Sequence, residues 1–299
     1  MPDGALDPSA PLLARCTFPP PGSHVTCAVS GGADSTALLA LAVAAGLVCT
    51  AVHVDHGLRA GSAAEAEVVR ATAARLGASF RAERLALTDG PNMEARARDA
   101  RYRVLPTDVL TGHTADDQAE TVLVNMLRGA STSGLAAMRP GPRHPLLALR
   151  RTETEALCTE LDLPVVHDPS NLDARHLRNR VRHELLPLMA ALSRRDPVPL
   201  LARQASLLRD DDDLLAAMAA TIDPTDARGL AAAPAAVARR AIRGWLTGEH
   251  PPDAATVERV LAVARGESVA TEVGGGRRVQ RHRQTLSLGP DEHPAQRVT

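Results

Sequence analysis

The chain has 299 residues, a formal net charge of −1, 44% hydrophobic residues and 1% aromatic residues. That length allows two ordinary domains, with cores resting on Leu, Val and Ala. The near-zero charge excludes a surface that is basic throughout, and because all 34 basic residues are arginine, an arginine by itself is a weak functional signal.

Residues 1–23 are rich in Pro and Gly without periodicity and read as a loose lead-in. Strands and helices then alternate. His24–Ser30 reads as a strand, Ser35–Ala45 as a buried helix and Leu47–Asp55 as a second strand. Ser62-Ala63-Ala64-Glu65 is a capping box opening a helix to Leu76. A strand over Ala78–Leu85, a helix over Asn92–Leu105 and a short strand over Asp108–Thr111 follow. Thr114 caps a helix running to Arg128, Pro145–Leu149 reads as a strand, and Thr152-Glu153-Thr154-Glu155 is a further capping box. This alternation predicts an α/β fold, a doubly wound and mostly parallel sheet over 24–197. Ligands of such sheets bind beyond the carboxyl ends of the strands, where Ser30–Ser35, Asp55 and His113 fall. Residues 198–299 read as a smaller domain. It has helices over Leu200–Arg209, Leu214–Ala219, Ala235–Leu246 and Thr256–Ala264, then a β-hairpin around Gly274-Gly275-Gly276.

No apolar run reaches the ~18 residues of a membrane span, and no charged start precedes an apolar stretch. The four cysteines, at 16, 27, 49 and 158, include no Cys-x-x-Cys pair. A cytoplasmic protein that does not enter a membrane is expected.

Three strings carry the chemistry. Val25–Val29 followed by Ser30-Gly31-Gly32-Ala33-Asp34-Ser35 and an apolar helix is a strand, a tight loop and a helix start. Backbone N–H groups of such a loop converge on one anion, and the helix dipole assists. It lacks the Gly-Lys-Ser/Thr of a Walker loop and the Gly-x-Gly-x-x-Gly of a dinucleotide site. Asp55, ending a strand beside that loop, suits Mg²⁺, although a lone strand-end Asp is more often a loop cap. In Thr111-Gly112-His113-Thr114-Ala115-Asp116-Asp117-Gln118-Ala119-Glu120-Thr121, His113 and Asp117 share a face and Glu120 lies one turn on. Either acid alone reads as dipole compensation at a helix start. Between 175 and 209 lie eight arginines against Glu184 and Asp196, a density that suits phosphate backbones.

Taken in order, Ser-Gly-Gly-Ala-Asp-Ser, His-Val-Asp-His-Gly-Leu-Arg (53–59), Asn-Met-Glu-Ala-Arg-Ala-Arg-x-x-Arg-Tyr (92–102), Gly-His-Thr-Ala-Asp-Asp-Gln-Ala-Glu-Thr (112–121) and Arg-Asn-x-x-Arg (178–182) are a specific set. The chain resembles the tRNA(Ile)-lysidine synthetases, members of the N-type ATP pyrophosphatases, over roughly 24–190 and more loosely to 288. The resemblance implies an adenine nucleotide alpha-hydrolase-like fold. It also implies an ATP- and Mg²⁺-dependent ligase that adenylates the wobble cytidine of the CAU anticodon of tRNA(Ile), after which an amine of free L-lysine displaces AMP. Lysidine then reads AUA, and the tRNA accepts isoleucine.

The same resemblance assigns roles. Ser30, Gly31, Gly32, Ala33, Asp34 and Ser35 hold the phosphates, with Asp34 at the metal. Asp55, Arg98, Arg101, His113, Asp117 and Glu120 complete the catalytic set, with Arg98 or Arg101 at the α-phosphate, Asp117 and Glu120 anchoring lysine, and His113 binding or shuttling a proton. Arg175, Arg178, Arg180 and Arg182, with Arg277 and Arg278 of the tail, contact tRNA. A homodimer stays open. Three rivals remain: a related tRNA-base thiolation enzyme, an amide-forming synthetase, and a non-catalytic tRNA-binding protein. Two departures from the family stand out. The Leu105–Asp108 connection is short, and one small carboxy-terminal domain follows where longer members carry another.

Overall fold

In the computed structural model, the described residues are 8–55, 62–84, 104–166, 168, 173–248 and 251–290. They form two compact units, residues 1–206 and 207–299.

The first unit opens on a single turn, α1 (Ala10–Leu13), and then builds a parallel sheet from β1 (His24–Ala28), β2 (Val48–Asp55) and β3 (Ser79–Arg84) in the order β1-β2-β3. The near-continuous apolar run of β2 is what a parallel strand covered on both faces requires. Residue alternation sends Cys27, Cys49 and Ala51 into one core, and Ala28, Val52 and Val54 into a second with Leu105 and Val109. α2 (Ala33–Ala44) is buried from Ser35 to Ala42, as expected of a helix that is apolar all round. α3 (Ser62–Arg75) packs on β2 and β3.

The chain then returns to the far side of β1, where Leu110 makes one parallel bridge to Cys27. Ala28 N–H donates to Leu110 O at 2.9 Å, and Leu110 N–H donates to Thr26 O at 2.8 Å. The expected strand over Asp108–Thr111 is thus reduced to one rung in the expected place. It suffices to make β1 the point where connections leave to opposite sides, which opens a crevice beyond its carboxyl end.

α4 (Ala115–Leu127) and the short turn α5 (Thr132–Leu135) follow. The strand expected over Pro145–Leu149 is absent: these residues run through turns while Leu146 and Leu149 are wholly buried. The run contains no β-branched residue, so its apolarity reported burial rather than extension. α6 (Arg151–Glu160) begins one residue before the expected cap. Glu153 accepts the N–H of Arg150 at 2.7 Å, so the capping carboxylate serves residue 150 and not Thr152.

The helix expected over Leu177–Met189 is α7 (Leu177–Arg180), a π-helical stretch over Val181–Leu185, and α8 (Leu186–Ser193). Pro187 has no N–H to offer the preceding turn, and the ladder shifts, with Leu186 N–H reaching back to Val181 O. The expected helix over Asn92–Leu105, and with it Arg98 and Arg101, lies outside the described residues up to residue 103.

α9 (Pro197–Ala220) crosses the division between the units as one helix, where two were expected. In the second unit α10 (Ala227–Ala232), α11 (Ala235–Leu246) and α12 (Ala254–Arg265) surround a core of Leu230, Ile242, Leu246, Leu261, Val279 and Leu286. Asp226 and Asp253 cap α10 and α12 by accepting the N–H groups of Arg228 and Thr256. The tail is a three-stranded antiparallel meander, β4 (Ala270–Gly274), β5 (Arg277–His282) and β6 (Thr285–Pro290), rather than a single hairpin. Among the described residues no helix is long and apolar enough to cross a membrane.

Candidate active site

The loop after β1 is shaped by its glycines and hydroxyls. Gly31 has φ +94°, and a Cβ there would meet Val166 Cγ2 at 2.9 Å, so both conformation and space demand glycine. Ser35 Oγ donates to Gly32 O at 2.9 Å and accepts the N–H of Ser30 at 3.2 Å, which closes the loop on itself. Gly32 is the N-cap of α2. Ser30–Ser35 is therefore a compact turn feeding a helix N-terminus, as the string predicts.

Gly112 supplies a fit that pattern reading missed. A Cβ on it would lie 2.5 Å from Asp34 O, so the crossing strand-end rests directly against the backbone of the phosphate loop. The two strings are neighbours in space because both positions present bare backbone.

α4 starts at Thr114, whose N–H and Oγ1 both donate to Asp117 Oδ2, at 2.9 and 3.0 Å. Asp116 accepts Arg150 Nε at 3.0 Å and the N–H of Arg151 at 2.8 Å, and Arg150 reaches on to Asp196. Asp117 thus closes the capping box of α4 through Oδ2, which leaves Oδ1 to face the arginines described next, while Asp116 ties the helix start to Arg150 and Arg151.

Arg151, which pattern reading did not single out, joins three acids through one guanidinium. Its Nε bonds to Asp34 at 3.1 Å, Nη2 to Asp117 at 2.9 Å and Nη1 to Glu120 at 3.1 Å. Glu120 is 0% exposed and also accepts Arg178 Nε at 2.8 Å, Arg182 Nε at 2.6 Å and Arg182 Nη2 at 3.0 Å. Arg178 Nη2 bonds to Asp117 at 3.2 Å as well. Three guanidiniums thus face three carboxylates.

Burial acts to raise the carboxyls of Asp34 and Asp117, and the neighbouring arginines act against it. At Asp117 burial is outweighed by Arg151, Arg178 and the Thr114 N–H, and its carboxyl falls below the ordinary carboxylate range. At Asp34 burial prevails over Arg151 and Thr154, and its carboxyl is raised. Asp34 is therefore less fully compensated than Asp117.

His113 and a second imidazole, His144, meet at Thr111. Both Nδ1 atoms lie 2.8 Å from Thr111 Oγ1, and that hydroxyl also donates to Arg143 O at 3.1 Å. A hydroxyl has one proton to give. The two Nδ1 atoms also lie 3.4 Å from each other, so Thr111, His113 and His144 form one small proton-sharing cluster. Burial, with Arg143 nearby, lowers the pKa of His144.

The remaining expected residues divide. Asp55 ends β2 half-buried, next to the loop strand. His53 is buried, with Nδ1 2.9 Å from Val29 O. Arg178 and Arg182, expected at the tRNA, are turned onto Glu120. Arg175 and Arg180 are exposed and pair with Asp173 and Glu184. Arg277 and Arg278 lie on β5 of the second unit, where Arg277 Nη2 donates to Leu246 O at 3.3 Å. The oxygens of Glu120, the expected lysine anchor, accept bonds from three arginines.

Residues 11–189 match the PP-loop domain family. The chain is 41% identical to the tRNA(Ile)-lysidine synthase of Nocardia farcinica, covering 84% of this chain and 86% of that one. The chain belongs to the tRNA(Ile)-lysidine synthase family. The family member from Mycobacterium tuberculosis is 42% identical, with 85% of each chain covered, and that from Thermobifida fusca is 38% identical, covering 91% and 93%. Among solved structures, the U34-tRNA thiolase NcsA from Methanococcus maripaludis, described with its [4Fe-4S] cluster, superposes with a TM-score of 0.56 at 16% identity. It covers 67% of this chain and 78% of that one. That likeness extends to the fold alone.

Proposed function

We propose that this chain forms lysidine on tRNA(Ile) bearing a CAU anticodon, using ATP and free L-lysine. The observation that carries the reading is the meeting of the Ser30–Ser35 loop with Asp117 and Glu120 at one crevice, through Arg151, in a chain of this family. In the first step the O2 of the wobble cytidine bonds to the α-phosphorus of ATP and pyrophosphate leaves. In the second an amine of lysine bonds to C2, and the C2–O2 bond breaks to release AMP.

The chain's residues divide this work. The loop N–H groups and the α2 dipole take the pyrophosphate oxygens. Asp34, with Asp55 at the end of the neighbouring strand, would hold Mg²⁺, both offering the carboxylate oxygens that ion takes. When bound, that ion neutralises charge developing on the leaving pyrophosphate. His113 is assigned to bind or shuttle the proton shed by the attacking amine. Arg98 or Arg101 is assigned the α-phosphate. Arg175, Arg178, Arg180 and Arg182, with Arg277 and Arg278, are the arginines assigned to tRNA. The protein is placed in the cytoplasm, where these substrates are found.

Thiolation is the weaker reading. A sulfur-handling cysteine must ionise. Burial pushes the thiols of Cys16 and Cys158 up to about 11; the hydrogen bond between Cys27 and Cys49 raises the first and lowers the second, and both lie buried in the sheet core away from solvent. The test is mass analysis of tRNA(Ile) incubated with protein, ATP and lysine. Lysidine formation adds the mass of lysine less one water and releases AMP and pyrophosphate. A gain matching replacement of oxygen by sulfur, or no gain with intact protein, refutes the proposal.

A further inference from the structure

Arg151 belongs to neither the phosphate loop nor the acids of α4, yet its one guanidinium is bonded to both. The formal charges of Arg151, Arg178 and Arg182 cancel those of Asp34, Asp117 and Glu120. Such a closed set resists a further cation. An ammonium approaching Asp117 Oδ1 or Glu120 Oε1 finds Arg151 already on both oxygens, at 2.9 and 3.1 Å. A polyphosphate at the Ser30–Ser35 loop changes the balance. It brings several negative charges to the helix that carries Asp34, whose carboxylate Arg151 already reaches. A guanidinium fork matches paired phosphate oxygens as well as carboxylates.

We propose that Arg151 is a positioning residue that couples the two substrate sites. Polyphosphate at the loop draws Arg151 off Asp117 Oδ1 and Glu120 Oε1, and the ammonium of lysine takes its place there, beside the bonds those oxygens keep to Arg178 and Arg182. Arg178 and Arg182 stay on Glu120 and keep that acid in place during the exchange. The order of binding follows: nucleotide first, lysine second. Because coupling is reciprocal, lysine tightens nucleotide by the same factor. The inference rests on the lysidine reading, since it names lysine as the cation admitted.

The test is equilibrium dialysis of radiolabelled lysine against the full chain, with and without Mg²⁺ and α,β-methylene-ATP, which cannot be split between its α and β phosphates. Wild-type protein is expected to bind lysine at least about fivefold more tightly with the nucleotide present. Arg151→Gln is expected to bind lysine without nucleotide, with the coupling factor near one. Arg151→Lys, which keeps the charge but cannot span three acids, is expected to fall between. Equal lysine affinity with and without nucleotide in wild-type protein overturns the proposal, whether or not Arg151→Gln folds. Undiminished coupling in a folded Arg151→Gln overturns it as well. A protein that binds nucleotide but never lysine overturns the lysidine reading itself, and tRNA mass analysis identifies that failure independently.

Discussion

Replacing Glu120 by Gln separates a counter-charge from a ligand anchor. Glu120 is 0% exposed, and its two oxygens accept four guanidinium bonds from Arg151, Arg178 and Arg182. Gln keeps the volume but removes the charge, and it turns one acceptor into a donor that faces other donors. Three guanidiniums are then left with two carboxylates. Removing one partner of a buried ion pair costs about 3–5 kcal/mol. The side chains of Arg151, Arg178 and Arg182 remain 20%, 35% and 24% exposed, so water relieves part of the excess charge. We therefore expect a loss of about 2–4 kcal/mol. With a urea slope of about 2 kcal/mol/M, the midpoint falls by about 1–2 M. Far-UV circular dichroism follows the whole chain, while fluorescence of Trp245, the only tryptophan, follows the second unit. The loss belongs to the transition that Trp245 does not report. Pairing Glu120→Gln with Arg182→Met restores charge balance and should recover part of the loss. A midpoint within about 0.3 M of wild type, an energy well under that of a broken buried pair, refutes the counter-charge argument.

Asp34→Asn should leave stability within about 1 kcal/mol of wild type or raise it, because burial already disfavours the charged acid. Pyrophosphate release from labelled ATP should meanwhile be abolished; normal release refutes the loop assignment. His144 has a lowered pKa, so its contribution to stability is present above its ordinary value of 6.5 and is lost as pH falls through the lower folded value. Thermal midpoints of wild type and His144→Gln, compared between pH 5 and pH 8, should converge toward the acid end; a constant difference contradicts the shift. Arg277→Ala with Arg278→Ala should weaken tRNA binding and reduce its salt slope by up to about two, with ATP affinity unchanged. An unaltered slope removes the tail from the tRNA footprint.

What the sequence disclosed was local. Ser30–Ser35 and the Thr114 cap were legible because glycine conformation and a capping hydroxyl act within a few residues. Asp212 shows why charge runs mislead. Asp210–Asp213 looked like a break between two helices, yet α9 continues through it, and Asp212 is buried against Arg240 at 2.6 Å. Arg151 was hidden for a different reason. It sits in a doublet in an arginine-only chain, and its significance arises from three acids brought together by two other helices. His144 was likewise an isolated residue in a turn until Thr111 reached it. Arg178 and Arg182 were legible as a pair, but their direction was set by packing: the π-helical stretch and α7 turn both toward Glu120.

The arginine-only composition has a chemical consequence at this crevice. An adenylated cytidine is an electrophile, and any unprotonated amine within reach competes to open it. A guanidinium stays protonated at every physiological pH and is not a nucleophile there. Arg151, Arg178 and Arg182 can therefore crowd the acids without capturing the activated base. No side chain of the 299 residues carries a primary amine. The machinery is inert toward its own intermediate, and the attacking nitrogen must come from outside.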